Sequence, residues 1–143
     1  MKYLLDTNVF REVGKTDPHE HVRAWLNRVD DADLAISALT VREVTKGIEK
    51  LRSKKPDIAA AIETRVNGAY QAFGERVLPV SAEVARLWGE LLAESDKHID
   101  DTGLAATARV YDLVLVTRNL EHIDGRGAAT LDPFKAKPKI SRP

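Results

Sequence analysis

Four short runs, Lys2 to Leu5, Leu34 to Ser37, Val77 to Val80 and Leu113 to Thr117, are apolar without polar alternation, so strands formed from them must be buried on both faces. Longer stretches with a different period separate them. Val22, Trp25, Leu26 and Val29 are spaced by three or four residues, and so are Val41, Val44, Ile48 and Leu51, then Ile58, Ile62, Val66, Tyr70 and Phe73. The same spacing runs from Ser81 through Val84, Leu87, Trp88 and Leu91, and from Asp101 through Leu104, Ala105, Ala108 and Tyr111. These are amphipathic helices. Lys54-Lys55-Pro56-Asp57 divides the central two into a hairpin, because the residue before proline is driven out of helical geometry. Doubly buried strands alternating with helices predict an α/β fold of three layers, with a short, mostly parallel sheet between helices.

A chain of 143 residues with 43% hydrophobic content closes one core, and we expect a single domain over residues 1–143 without internal repeats. From about Lys135 the chain turns basic and proline-broken, which predicts a mobile, solvated tail. The 22 basic and 22 acidic side chains cancel, so attraction of a phosphate-bearing partner must come from local patches or metal ions. Absence of cysteine excludes disulfides, thiolate zinc sites and a thiol nucleophile. No run approaches the roughly 18 apolar residues of a membrane span, and the first residues lack a signal-peptide pattern, so a cytoplasmic protein is expected.

Ligands of parallel sheets bind beyond the carboxyl ends of the strands. Asp6 follows the first run, Glu43 lies soon after the second, and Asn119 follows the last. Asp101, beside Asp100, opens the alanine-rich helix that feeds the last strand, so its position depends on the edge which that helix's N-terminus faces. Two carboxylates about 5 Å apart at an effective dielectric near 20 repel by roughly 3 kcal/mol. A hard divalent cation removes this cost, and an oxygen-only ligand set suits magnesium or manganese better than zinc.

At these residues the chain resembles the PIN-domain ribonucleases, particularly the toxins of VapBC-type toxin–antitoxin pairs and the related FitB proteins. The likeness rests on Leu4-Leu5-Asp6-Thr7-Asn8-Val9, on Glu43 within Thr40-Val41-Arg42-Glu43-Val44-Thr45-Lys46-Gly47-Ile48, on Asp101-Thr102-Gly103-Leu104-Ala105-Ala106-Thr107-Ala108 and on Leu113-Val114-Leu115-Val116-Thr117-Arg118-Asn119, in that order. It implies a PIN-like three-layer domain with Asp6, Glu43 and Asp101 as catalytic residues and metal ligands. Asn119 falls at a fourth position that many members fill with aspartate. Asp101 is selected over Asp100, the backup, because it stands four residues before Ala105. Where members often carry aspartate then phenylalanine, this chain has His122-Ile123, with Asp124 nearby.

The resemblance implies metal-assisted hydrolysis of RNA, with Asp6 and Asp101 holding Mg2+, or Mn2+, and Glu43 positioning the attacking water or a second ion. Thr7 is expected to hydrogen-bond a ligand carboxylate or the phosphate, and Arg118 and Lys46 to contact the RNA backbone. It further implies a cognate antitoxin encoded alongside, a homodimer, and operator DNA bound only through the antitoxin. Tyr70 and Phe73 are candidate antitoxin contacts or core.

Taken singly, several of these residues have structural readings. Thr40 and Glu43 form a Thr-x-x-Glu capping box, Asp101 suits a helix N-cap and Asn119 a loop cap. Asp6 is harder to dismiss, because a carboxylate ending a buried strand must be solvated or paired. The four histidines point to surface or capping roles: His19 and His21 lie on different helix faces, and His98 and His122 lack partners at ligand spacing. Trp25 and Trp88 fit packing positions. A receiver domain would want an acidic pair after the first strand and an aspartate where Ser37 stands. A dehalogenase-like phosphatase would want an acid where Asn8 stands. The alternative outside enzymology is a catalytically silent PIN-fold module that binds RNA or protein.

Overall fold

Tyr3–Leu5 (β1) lies at the centre of a five-stranded sheet, paired in parallel with Leu34–Ser37 (β2) on one side and Val114–Val116 (β4) on the other. Val77–Leu78 (β3) flanks β2 and Thr130–Leu131 (β5) flanks β4, again in parallel, giving the order β3-β2-β1-β4-β5. This computed structural model describes residues 1–143. The four apolar runs become strands within a residue or two of their expected bounds. The fifth strand is short and follows no apolar run, and nothing in the sequence announces it.

Pleating sends successive side chains to opposite faces, and both faces are covered. Leu5, Leu34, Ile36, Val114 and Val116 pack with residues of Thr7–Glu12 (α1), Glu20–Arg28 (α2), Ala38–Arg52 (α3) and Pro56–Phe73 (α4) in the larger core. Leu4, Ala35, Leu113 and Leu115 turn the other way, against Leu104, Ala105 and Ala108 of Ile99–Val110 (α6). Ala82–Glu94 (α5) packs behind α6 through Val84, Leu91 and Ala106. The α/β/α sandwich is therefore as expected.

The helix boundaries have local causes. Ser37 caps α3 by accepting from the Leu39 N–H at 3.0 Å, and Ser81 caps α5 by accepting from Val84. Pro56 opens α4 at a position where its missing N–H costs nothing. The capping-box reading of Thr40 and Glu43 fails, since Ser37 already serves the helix end and Thr40 lies inside the first turn. The expected N-cap role of Asp101 fails too: His98 occupies that position, and Asp101 lies in the first turn. Asn119 does precede the one-turn 3₁₀ segment Leu120–Ile123, but its side chain makes no capping bond. His19, by contrast, caps α2 by accepting from the His21 N–H at 3.2 Å.

One further expectation is corrected, and one left open is resolved. The basic tail is not simply free, because Thr130 and Ser141 exchange backbone hydrogen bonds of 2.9 and 2.8 Å in an antiparallel bridge on the outer edge of β5. Phe73 is core and meets Phe10 edge-on, while Tyr70 stacks on Phe10 at 5.7 Å with its hydroxyl buried and unpartnered. Of the two readings of this pair, partner contact or core, Phe73 takes the core and Tyr70 packs half-buried against it. Trp25 and Trp88 pack as expected, Trp25 edge-on to Tyr3 and Trp88 against both cores of the α5–α6 face. No helix is long and apolar enough to cross a membrane.

Candidate active site

The chain builds the β1-β2-β3 half of the sheet, then returns to lay β4 against the other side of β1. The crevice between the carboxyl ends of β1 and β4 is thus the topological switch point, where parallel sheets place their ligands. Asp6 directly follows β1 there and Thr117 directly follows β4.

Asp6 is only 2% exposed, and each of its two carboxylate oxygens is held by a hydrogen bond. It caps α1, one oxygen accepting from the Val9 N–H at 2.9 Å, and the other accepts from the Thr117 hydroxyl. Thr117 in turn accepts from the Asn119 N–H at 3.0 Å. Asn119 therefore supports the site through its backbone. No cation pairs with Asp6. Burial pushes its carboxyl above the ordinary range, and the charge of Asp101 pushes the same way, while Thr117 and the N–H groups of Val9 and Asn8 offset part of the rise. Thr117→Val removes one of these offsets, so the Asp6 carboxyl should titrate at still higher pH, as read from its carboxyl carbon shift in metal-free protein.

Contacts at the start of α6 answer the question of its edge: Asp100 pairs with Arg42 near the start of α3, just after β2, and Asp101 meets His122, just after β4, so the N-terminus of α6 lies at the carboxyl end of the sheet. Gly103 contributes to this placement. A Cβ there would lie 2.8 Å from both Leu39 Cδ1 and Trp88 Cε2, so only glycine lets α6 approach α3 and α5 this closely. Asp101 also contacts His122, with 2.8 Å between Oδ2 and Nδ1. Asp100 is turned aside into an ion pair with Arg42 at 2.6 Å.

Glu43 is half-buried in the second turn of α3, without a hydrogen bond or ion pair of its own. One turn earlier on the same face, the buried Thr40 hydroxyl accepts from Thr7 at 3.2 Å. This contact sets the face of α3 that carries Glu43 beside the start of α1, where Asp6 stands. It also corrects the expectation for Thr7, whose hydroxyl is spent on Thr40. Thr117 takes the carboxylate-binding part instead. Arg118 is exposed and its guanidinium stacks on Phe134 at 3.6 Å. Lys46 and Asp124 are exposed and form no ion pair.

Four residues of the site and its surroundings carry no clear signal in the sequence. The hydroxyl of Thr117, at a strand end opposite Asp6, was visible only as the last residue of an apolar run. The histidines dismissed for lack of spacing are brought together by the fold: His98 and His122 stack at 3.9 Å, and their donor atoms lie within 4.8 Å of each other and of an Asp101 oxygen. Arg126 is 6% exposed and donates to the carbonyls of Leu91, Ser95 and Lys97 at 2.6, 2.6 and 3.2 Å. It thereby ties the end of α5 and the connection that delivers His98 and the start of α6.

Does this donor set suit a divalent ion? Asp6 is buried and Asp101 partly buried, neither is paired with an ammonium or guanidinium, and each Asp6 oxygen keeps a lone pair beyond its protein hydrogen bond. Glu43 adds an uncommitted carboxylate on the adjoining helix face. Oxygen ligands of this kind fit Mg2+ or Mn2+.

Known proteins similar to this chain share its fold and most of its length. The toxin FitB of Neisseria gonorrhoeae is 30% identical over 137 residues, covering 92% of this chain and 97% of that protein. The VapC ribonuclease Y4jK of Sinorhizobium fredii is 30% identical over 138 residues, covering 92% of this chain and 97% of its own length. A solved structure of FitAB bound to an IR36 DNA fragment superposes with a TM-score of 0.81 at 28% identity, covering 94% of this chain and 97% of that one. The family model described as PIN domain matches residues 3–125. The chain belongs to the PIN-domain family.

Proposed function

We propose that the chain is a divalent-metal-dependent endoribonuclease acting as the toxin of a toxin–antitoxin pair. The observation that carries this reading is the buried, unbalanced Asp6 at the β1–β4 crevice, in a chain similar over nearly its whole length to a toxin and to a VapC ribonuclease.

Asp6, Asp101 and Glu43 are the residues that would hold Mg2+, or Mn2+, and bound there the ion supplies Lewis-acid polarisation of the phosphate and an acidified water. Thr117 and the backbone of Asn119 keep the Asp6 carboxylate in one orientation. Glu43, free of other partners, orients the attacking water. The water oxygen bonds to phosphorus and releases a proton to solvent, while the in-line bond from phosphorus to the ribose 3′ oxygen breaks and that oxygen takes up a proton. Products carry 5′-phosphate and 3′-hydroxyl ends, with no part for the 2′-hydroxyl. Arg118 and Lys46 supply contacts to the RNA backbone that the neutral molecule otherwise lacks. Asp100 and Asp124 stay outside the reaction, the first neutralised by Arg42.

The partner is a small antitoxin. A cavity of about 260 Å³ between α1, α3 and α4, lined by Phe10, Val44, Ile48 and Ile62, supports this reading. Arg11, Lys15 and Arg65 at its walls suit an amphipathic antitoxin segment with acidic residues on its margins. The chain acts as a homodimer in the cytoplasm, and operator DNA is bound through the antitoxin.

Incubation with total RNA and Mg2+ should give fragments with 5′-phosphate ends, and excess chelator should abolish them. Cleavage undiminished in chelator would end the proposal. A metal-independent mobility shift of RNA without cleavage would assign the chain as a silent binding module.

A further inference from the structure

Beside the acidic crevice lies a cluster of different chemistry. His98, at the N-cap of α6, and His122, in the 3₁₀ turn after β4, stack face to face at 3.9 Å with 7° between their planes. The Nδ1 atom of His122 is 2.8 Å from Asp101 Oδ2. One donor atom from each of His98, Asp101 and His122 lies within 4.8 Å of the other two.

His98 is placed there against the preference of its backbone. Its φ of 53° and ψ of 57° lie in the left-handed region, which a side chain bearing a Cβ adopts at a cost. The imidazole is exposed, caps nothing and makes no hydrogen bond, so its one evident engagement is with His122. Arg126 fixes the preceding connection through the Ser95 and Lys97 carbonyls, which presents His98 in this pose.

We propose that His98, Asp101 and His122 form a nitrogen-bearing site for a borderline divalent transition ion, Zn2+ by preference, adjacent to the oxygen-lined crevice and sharing only Asp101 with it. Two imidazoles and a carboxylate suit such an ion far better than Mg2+, and three protein ligands leave a fourth position open to solvent. Bonds of about 2.0–2.1 Å put tetrahedral ligand atoms about 3.4 Å apart. The Asp101–His122 pair is already closer than this, the ion taking the place of the hydrogen between them. His98 closes the set by a rotation of its unencumbered ring, which breaks the parallel stack.

The test is titration of the full chain with Co2+, followed by its visible absorption, then competition with Zn2+ and with Mg2+. One equivalent of Co2+ should bind, Zn2+ should displace it, and a hundredfold excess of Mg2+ should not. His98→Gly removes the imidazole at a position glycine favours, so the protein remains folded, and it should weaken binding by at least about tenfold. His122→Asp should do the same. Equal affinity of both variants and wild type, free competition by Mg2+, or loss of binding in Asp6→Asn but not in His98→Gly would each overturn the proposal. Mg2+-supported RNA cleavage by the wild-type protein reports on the nuclease reading separately. Cleavage without any Co2+ binding overturns this proposal alone, and Co2+ binding without cleavage overturns the nuclease alone.

Discussion

Asp6→Asn should unfold at a higher temperature than the wild type in metal-free buffer at pH 7, and cleave RNA roughly 10²–10³-fold more slowly. Both effects come from the same carboxylate. Burial and Asp101 raise the Asp6 pKa in the folded chain above its ordinary 3.8, so the group favours folding when protonated, below that ordinary value. The contribution is lost as pH rises through the folded value, and at neutral pH the ionised form opposes folding. Asparagine has the shape of the neutral acid. Its oxygen still accepts from Val9, and its amide can donate to Thr117, whose hydroxyl turns to accept. The stability gain should therefore be present at pH 7 and vanish below about pH 4, where both proteins carry a neutral group. Added Mg2+ should stabilise the wild type and leave the variant unmoved. Thermal melts across pH with and without the ion check the first half, and single-turnover cleavage checks the second. Wild-type cleavage by the variant would remove Asp6 from the reaction.

The largest loss of stability is expected at Arg126. Its guanidinium is buried without an acid partner and serves three carbonyls, one from the last turn of α5 and two from the following connection. Hydrogen bonds from a charged donor contribute more than neutral ones, and truncation leaves the carbonyls short of partners in an interior closed to water. Arg126→Ala should cost about 3 kcal/mol, visible as a lower urea midpoint with little change in slope. Arg126→Lys should rescue little, because a point ammonium cannot span acceptors that the planar fork reaches together. Cleavage should fall as well, since the connection loosened is the one that delivers Asp101. An intact midpoint would show that the three bonds merely replace bonds to water.

What was legible in the sequence follows from periodicity. Doubly buried strands have to be continuous apolar runs, and β1 to β4 showed as such. Asp6 stood out because a charge at the end of a buried strand requires an explanation. The first helix did not show, being six residues long and capped by Asp6 itself, so that one residue follows a strand, caps a helix and faces the crevice. The capping box misled because Ser37, three residues before Thr40, met the helix end first. His98 and His122 carry no joint signal along the chain. Only the return of β4 to the side of β1, with α6 packed through Gly103, brings them within reach of each other. Arg126 lies in a glycine-rich turn that reads as surface, and its burial depends on carbonyls some thirty residues upstream.

The antiparallel bridge between Thr130 and Ser141 bears on how the molecule behaves in company. A strand on the rim of a sheet offers unpaired amides and carbonyls to any neighbour, and β5 would do so along its outer side. Here the terminal segment folds back over that rim, flanked by Lys137, Lys139 and Arg142, whose charges discourage a second copy from docking. Shortened forms ending before Ile140 would bare this rim and should self-associate at concentrations where the full chain stays dispersed, so an affinity handle is better placed at Met1.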